Sequence, residues 1–145
     1  SRRDLHRNLF QRGSRATCWL DLGNTESVAQ VVLGRPKPYP LLELEEWGRL
    51  PCVTELFPQL LEDQQEDDAP SCSVRISLQS QGLFVNDMAA RWASQLLYEL
   101  FQGPIRQHGV LVNLSSKRSG PIDVNPAVWK RFGIRRRKPR GLQAE

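Results

Sequence analysis

An α/β fold, with short strands packed against one long helix, is what the sequence predicts, and three stretches predict it. "ATCWLDLG" and "SVAQVVLG" are apolar runs rich in β-branched and aromatic residues, the content of buried strands. "GLFVNDMAARWASQLLYELF" repeats Val85, Met88, Ala89, Trp92, Ala93, Leu96, Leu97, Leu100 and Phe101 every three to four positions, the period of a helix with one buried side. "HGVLVNLSS" is a further apolar strand.

In chain order, "RRDLHRNLFQR" spaces Leu5, Leu9 and Phe10 at helical intervals, and Gly13 closes this opening helix. The two strands that follow, together about 16–33, are joined by a turn at Gly23 to Glu26. A parallel crossover takes a dozen residues or more, so the pair is an antiparallel hairpin within a mixed sheet. In this reading both strands are buried, Cys18 is a small core residue, and Gly23 supplies a permissive backbone angle at the turn. Pro36, Pro38 and Pro40 force an extended connector. A short helix or turn is expected around "VTELFPQLL", and the acidic stretch 62–70, nearly without apolar residues, reads as a mobile loop. The long helix covers about 83–101, with Asn86 or Asp87 at its start and Gly103-Pro104 as its stop. After the strand in "HGVLVNLSS", a turn at Pro126 anchored by Trp129 and Phe132 precedes a basic, flexible tail over 134–145. Residues 1–133 therefore form one domain, in keeping with a length of 145.

Composition excludes several classes. Three cysteines, Cys18, Cys52 and Cys72, form no C-x-x-C pair and no disulfide framework, and two histidines at unrelated positions make no metal-ligand spacing. No apolar run approaches the roughly 20 residues of a membrane helix, and the first residues lack the apolar centre of a signal peptide, so a soluble, cytoplasmic chain is expected. The net charge of +4 conceals arginine-rich ends around an acidic middle. A basic tail is more often a solvated end than a nucleic-acid arm, so nucleic acid is the lesser candidate partner.

Neither G-x-G-x-x-G nor a P-loop is present, so this stretch carries no phosphate cradle of its own. The thiols are the one strong nucleophile type available near neutral pH. Cys52 and Cys72 lie in predicted loops, beside Pro51 and Ser71, where a thiol can be exposed; for each, a packing role stays open beside a chemical one.

Several stretches, in order, resemble a known family. "WLDLGN…AQVVLG", "LPCVTELFP", "PSCS…GLFVNDMAARWASQLLYELF" and "GVLVNLSSKRSGPIDV" are similar to the C-terminal half of ThiF/E1-like proteins, the bacterial relatives of ubiquitin-activating enzymes. The nearest likeness is to the members found in plasmid-borne ParB-related, ThiF-related (PRTRC) cassettes, and it extends from residue 1 to about 125.

The resemblance implies a Rossmann-type fold of which this chain is the C-terminal half, and an ATP- and Mg²⁺-dependent adenylyltransferase. The enzyme would activate the C-terminal carboxylate of a ubiquitin-like or sulfur-carrier protein and work as a homodimer. It also implies that Asp21, Gly23, Asn24 and Gln30 border the carrier side of the adenylation centre. Cys72 matches the acyl-accepting cysteine, with Gly82 at the glycine ahead of the long helix, although the family's "GVLGP" reads "GLFVN" here. Cys52 is the weaker alternative. Glu55 stands where the second cysteine of a half zinc site would be, so zinc is not expected. The family's phosphate-binding residues precede the matched stretch, and the expectation is that this chain alone is inactive. The competing expectation is a non-catalytic interaction domain that keeps the fold without the chemistry.

Overall fold

The computed structural model describes residues 1–36, 49–62 and 83–134. Cys72, Gly82, nearly all of the acidic stretch and the tail from residue 135 lie outside the described residues. Helix α1 (Arg2–Phe10) opens the chain and is followed by strands β1 (Trp19–Asn24) and β2 (Val28–Gly34). Next come the short helix α2 (Val53–Leu56) with a 3-10 turn at Pro58–Leu61, and the long helix α3 (Leu83–Gln102). Strands β3 (Gln107–Asn113) and β4 (Arg118–Asp123) and helix α4 (Pro126–Lys130) complete the order.

The strands form one four-stranded sheet in the order β1-β2-β3-β4, and every neighbouring pair is antiparallel. The expected mixed sheet is thus corrected, among the described residues, to an antiparallel one. The hairpin itself forms as expected, with Asn24 opposite Ala29 and Trp19 opposite Gly34. Its connection is tighter than the sequence indicated. The Thr25 N–H donates to the Val28 carbonyl at 2.8 Å, and the Val28 N–H donates to Thr25 Oγ1 at 3.3 Å, so the strands run on through Gly23 and Asn24.

The sheet is covered on both faces. Ala29 and Val31 of β2 and Val110 and Val112 of β3 meet Val85, Ala89, Ala93 and Leu96 of α3, which are spaced three to four apart as an amphipathic stripe requires. Opposite, Val32, Leu33 and Ile122 join Leu50, Val53 and Leu56 around α2, together with Ile105 and Trp129 of α4. Contact with both layers explains why "VAQVVLG" is apolar almost without alternation. Ile134 still packs against the second layer, so the folded part runs to the last described residue.

Strand β1 differs from expectation. It lies at the sheet edge with one neighbour, and only Asp21 along it is buried. Cys18, just before it, is exposed rather than a core residue. Strand β4 carries no clear strand signal, because "RSGPID" buries Ile122 alone. Pro121 lacks the N–H that a central strand needs, which an edge position tolerates. The stop of α3 is as read: Gly103 takes φ +146° and its N–H donates to the Glu99 carbonyl at 3.2 Å. Among the described residues no helix is long and apolar enough to cross a membrane.

Candidate functional site at the hairpin turn

Asp21, Gly23, Asn24 and Gln30 lie on the two strands of the hairpin, Gly23 directly opposite Gln30; Asp21, Gly23 and Gln30 share one face of the sheet and Asn24 takes the other. Helix α1 supplies a residue the sequence did not single out. Arg2 closes a two-pronged ion pair on Asp21, with Nε donating to Oδ1 at 2.9 Å and Nη2 to Oδ2 at 3.1 Å. Nη2 also reaches the Leu22 carbonyl at 3.4 Å. The fork matches the geometry of a carboxylate and fixes α1 against β1. The second addition is Asn86, at the start of α3, whose Oδ1 accepts from Asn24 Nδ2. The two helices thus reach the hairpin end from opposite faces of the sheet, α1 through Arg2 beside Asp21, Gly23 and Gln30, and α3 through Asn86 on Asn24.

Gly23 has a different role from the one its sequence suggests. It does not adopt a left-handed backbone. A Cβ there would stand 2.7 Å from Arg2 Nη2 and 3.0 Å from Gln30 Nε2, so the missing side chain clears space for the two polar groups. Both obstacles are the ends of flexible side chains. A substitution would therefore move the site rather than the strand.

The opening helix is held at its other side as well. Arg3 Nη2 donates to the Leu61 carbonyl at 2.7 Å, and His6 Nδ1 lies 2.8 Å from Thr54 Oγ1. The cluster is consequently supported by the α2 layer, not by β1 alone.

The described cysteines separate clearly. Cys18 is exposed, and Cys52 is fully buried beneath Gly34, whose absent Cβ would fall 2.5 Å from the Cys52 Sγ. Burial, followed by the nearby Glu55 carboxylate, pushes the Cys52 thiol up to about 12. At that value only on the order of one thiol in 10⁵ is ionised at neutral pH, far from the activated state a nucleophile needs. The loop exposure expected for Cys52 is corrected, because Pro51 and Val53 are also buried around it. Glu55, at the would-be zinc position, accepts from the Cys52 N–H at 2.9 Å and from Arg49 at 2.6 Å. It is thereby a capping residue of α2.

Chemically, the hairpin end offers the Gln30 amide beside a carboxylate already neutralised by a guanidinium on one face, and the Asn24–Asn86 amide pair on the other. It suits holding an extended polar segment. It does not present a free general base. Among the described residues no group of three His, Cys, Asp or Glu could hold a metal ion. A separate cleft of about 200 Å³ lies between α3 and the β3–β4 pair, lined by Trp92, Leu96, Glu99, Val110 and Pro121 among others. None of the predicted site residues lines it.

Spacing gave no signal for Arg2 or Asn86: they stand 19 residues before Asp21 and 62 after Asn24, and each is one polar residue on a helix of many. No protein-family model, no curated protein and no solved structure matches the chain.

Proposed function

We propose that the chain is the carrier-seating part of a ThiF/E1-like, ATP-dependent adenylyltransferase that activates the C-terminal carboxylate of a ubiquitin-like or sulfur-carrier protein. The observation that carries this reading is the hairpin end. Three of the four residues that the resemblance assigns to the carrier side, Asp21, Gly23 and Gln30, share one face of the hairpin with Arg2, and Gly23 clears space between Arg2 and Gln30. In this reading the antiparallel sheet is the C-terminal portion of a Rossmann-type fold, the protein is a cytoplasmic homodimer of a plasmid-borne cassette, and Cys72 accepts the acyl group.

The described residues do not fit a magnesium-bound triphosphate. The carboxylate of Asp21, the one on the hairpin strands, is taken by Arg2. No step through the nucleotide is assigned to them. Their part is to seat and orient the carrier tail by hydrogen bonds, which is positional catalysis of a reaction whose phosphate chemistry needs further residues.

The test is carrier-dependent exchange of labelled pyrophosphate into ATP by the gene product that contains this chain, using a small carrier ending in Gly-Gly. The wild type should exchange, and Gly23→Ala should lower the rate about tenfold or more by moving Arg2 and Gln30. Its unfolding midpoint should stay close to wild type. Cys72→Ala should lose any dithiothreitol-sensitive carrier conjugate while keeping exchange. Absence of exchange in the wild type overturns the enzyme reading.

A second reading, a non-catalytic interaction domain, is favoured by one observation: Phe84, Tyr98 and Phe101 on α3 are 75%, 61% and 82% exposed. Aromatic groups so placed are common at protein contacts. This reading predicts no exchange with any carrier.

A further inference from the structure

Trp129 is fully buried at the heart of the α4 face, and its indole N–H donates to His108 Nε2 at 2.9 Å. The other ring nitrogen, Nδ1, lies 3.0 Å from the Leu33 carbonyl oxygen, which can only accept. These two contacts fix the tautomer: Nδ1 carries the proton and Nε2 offers a lone pair. The ring is edge-on to the indole, with centroids 5.6 Å apart. His108 is also the extra residue of β3. Gln107 pairs with Asp123 and Gly109 with Ile122, leaving His108 between them without a partner on β4. The irregularity places the ring against Trp129.

We propose that His108 and Trp129 form a proton-operated latch, in which the unprotonated Nε2 holds α4 and the turn after it on the sheet and protonation of Nε2 releases them. A proton on Nε2 would point at the Trp129 N–H, donor against donor, at a fully buried position. The ring would also become a buried cation. The charged groups around it do little to offset this. Asp123 on β4 favours the cation, but its carboxylate is shared with Gln107 Nε2 at 3.3 Å. Strand β2 offers the Leu33 carbonyl, and Lys130 and Arg131 beside Trp129 are exposed cations. Burial dominates and lowers the His108 pKa to about 4.

The latch connects to the candidate site through packing. Phe132, just after α4, meets Phe57 edge-on at 5.5 Å, and Phe57 ends α2. The α2 layer in turn seats α1 through Arg3 and His6, and α1 carries the Arg2 that holds Asp21. Release of α4 removes one wall of that layer and reaches the Arg2–Asp21 clamp. The inference does not depend on the carboxylate-activation reading.

Hydrogen exchange on the whole chain, corrected for intrinsic rates and followed from about pH 7 to about pH 4.5, tests it. Residues 124–134 should lose protection about tenfold or more while β2 and α3 keep theirs, with α1 loosening next. Simultaneous loss across α3 and α4 overturns the latch. Trp129→Phe keeps most of the packing and removes the donor, so the His108 resonance should titrate about one pH unit higher in that variant. An unchanged His108 titration means the two rings merely pack, and the proposal fails. If Trp129→Phe does not fold, the wild-type exchange profile decides. His6, on α1, is the other histidine; His6→Gln should leave the pH of α4 release unchanged, and a shifted release pH makes His6 the sensor and sinks the proposal.

Discussion

Under α3 the buried residues are all aliphatic, Ala29, Val31, Val110 and Val112 against Val85, Ala89, Ala93 and Leu96, with Met88 and Trp92 packed at the margin. Under α4 and α2 the same sheet meets an indole, an imidazole, a buried thiol and a glycine cleared for it. Aliphatic contacts are non-directional, so the first face tolerates small changes of shape and needs no particular partner. The second depends on directed bonds and on one close backbone approach, where a single atom too many or one bond too few is costly. The comparison predicts that the two faces fail differently.

Truncating one anchor on each face is the hardest test. Leu96→Ala should cost about 2–5 kcal/mol, the range for a buried leucine. Trp129→Ala should cost at least about 5 kcal/mol, since it opens a larger cavity and also strands the His108 lone pair. Urea unfolding of both variants measures the difference. Equal losses would mean that the polar bond adds nothing to the second face.

Acid should weaken the second face selectively. His108 binds a proton in the unfolded chain below its ordinary value of 6.5 but is held to about 4 when folded. Between those values the unfolded state carries more protons, so stability rises with pH across the window. The contribution is fully present above pH 6.5 and lost as pH falls through about 4, for a total of about 3 kcal/mol. Thermal melts from pH 7 to pH 4 should show this slope in the wild type and a flatter one in His108→Phe. A slope that survives the substitution assigns the acid sensitivity to other groups.

These contrasts also mark what a sequence can carry. The long helix and the hairpin were legible because each is local: α3 shows its period in consecutive turns, and a connection as short as Gly23 to Glu26 leaves the two strands no choice but to pair antiparallel. Residues that depend on distant partners were not legible. Read from the sequence, Cys18 belongs to a buried strand and Cys52 to a loop, yet Cys18 is exposed before an edge strand and Cys52 lies buried under Gly34. Of the candidate site, the pairing of Gly23 with Gln30 follows from the hairpin, which was readable. The guanidinium that neutralises Asp21 was not, because the pairing of α1 with β1 leaves no periodic trace.

Two glycines of the hairpin strands differ in the same way at a finer scale. At Gly34 an added Cβ meets the Cys52 backbone Cα at 2.5 Å, which no rotamer relieves. Gly34→Ala should therefore destabilise by about 1–3 kcal/mol or somewhat more, and Cys52→Ala in the same chain should recover only part of it. At Gly23 the obstacles are side-chain ends, so Gly23→Ala should leave the unfolding midpoint nearly unchanged. Thiol labelling gives a second readout on Gly34. In the folded wild type Cys18 should react and Cys52 should not; in Gly34→Ala, Cys52 should become reactive as its cover lifts.

The smallest effect belongs to the outer side of α3. Phe101 is 82% exposed, so it buries little apolar area in the folded chain and lacks the neighbours that make Leu96 costly to lose. Phe101→Ser exchanges one solvated side chain for another on the last turn of a helix that Gly103 ends two residues later. The change in stability should stay within about 0.5 kcal/mol, and solubility should rise as the exposed aromatic area falls. The size of this effect tests the assignment of faces directly. A loss comparable to Leu96→Ala, measured at dilute protein concentration, would mean that the outer side of α3 is packed after all. A loss that grows with protein concentration would instead identify Phe101 as part of a contact between molecules, because only an associating face couples stability to concentration.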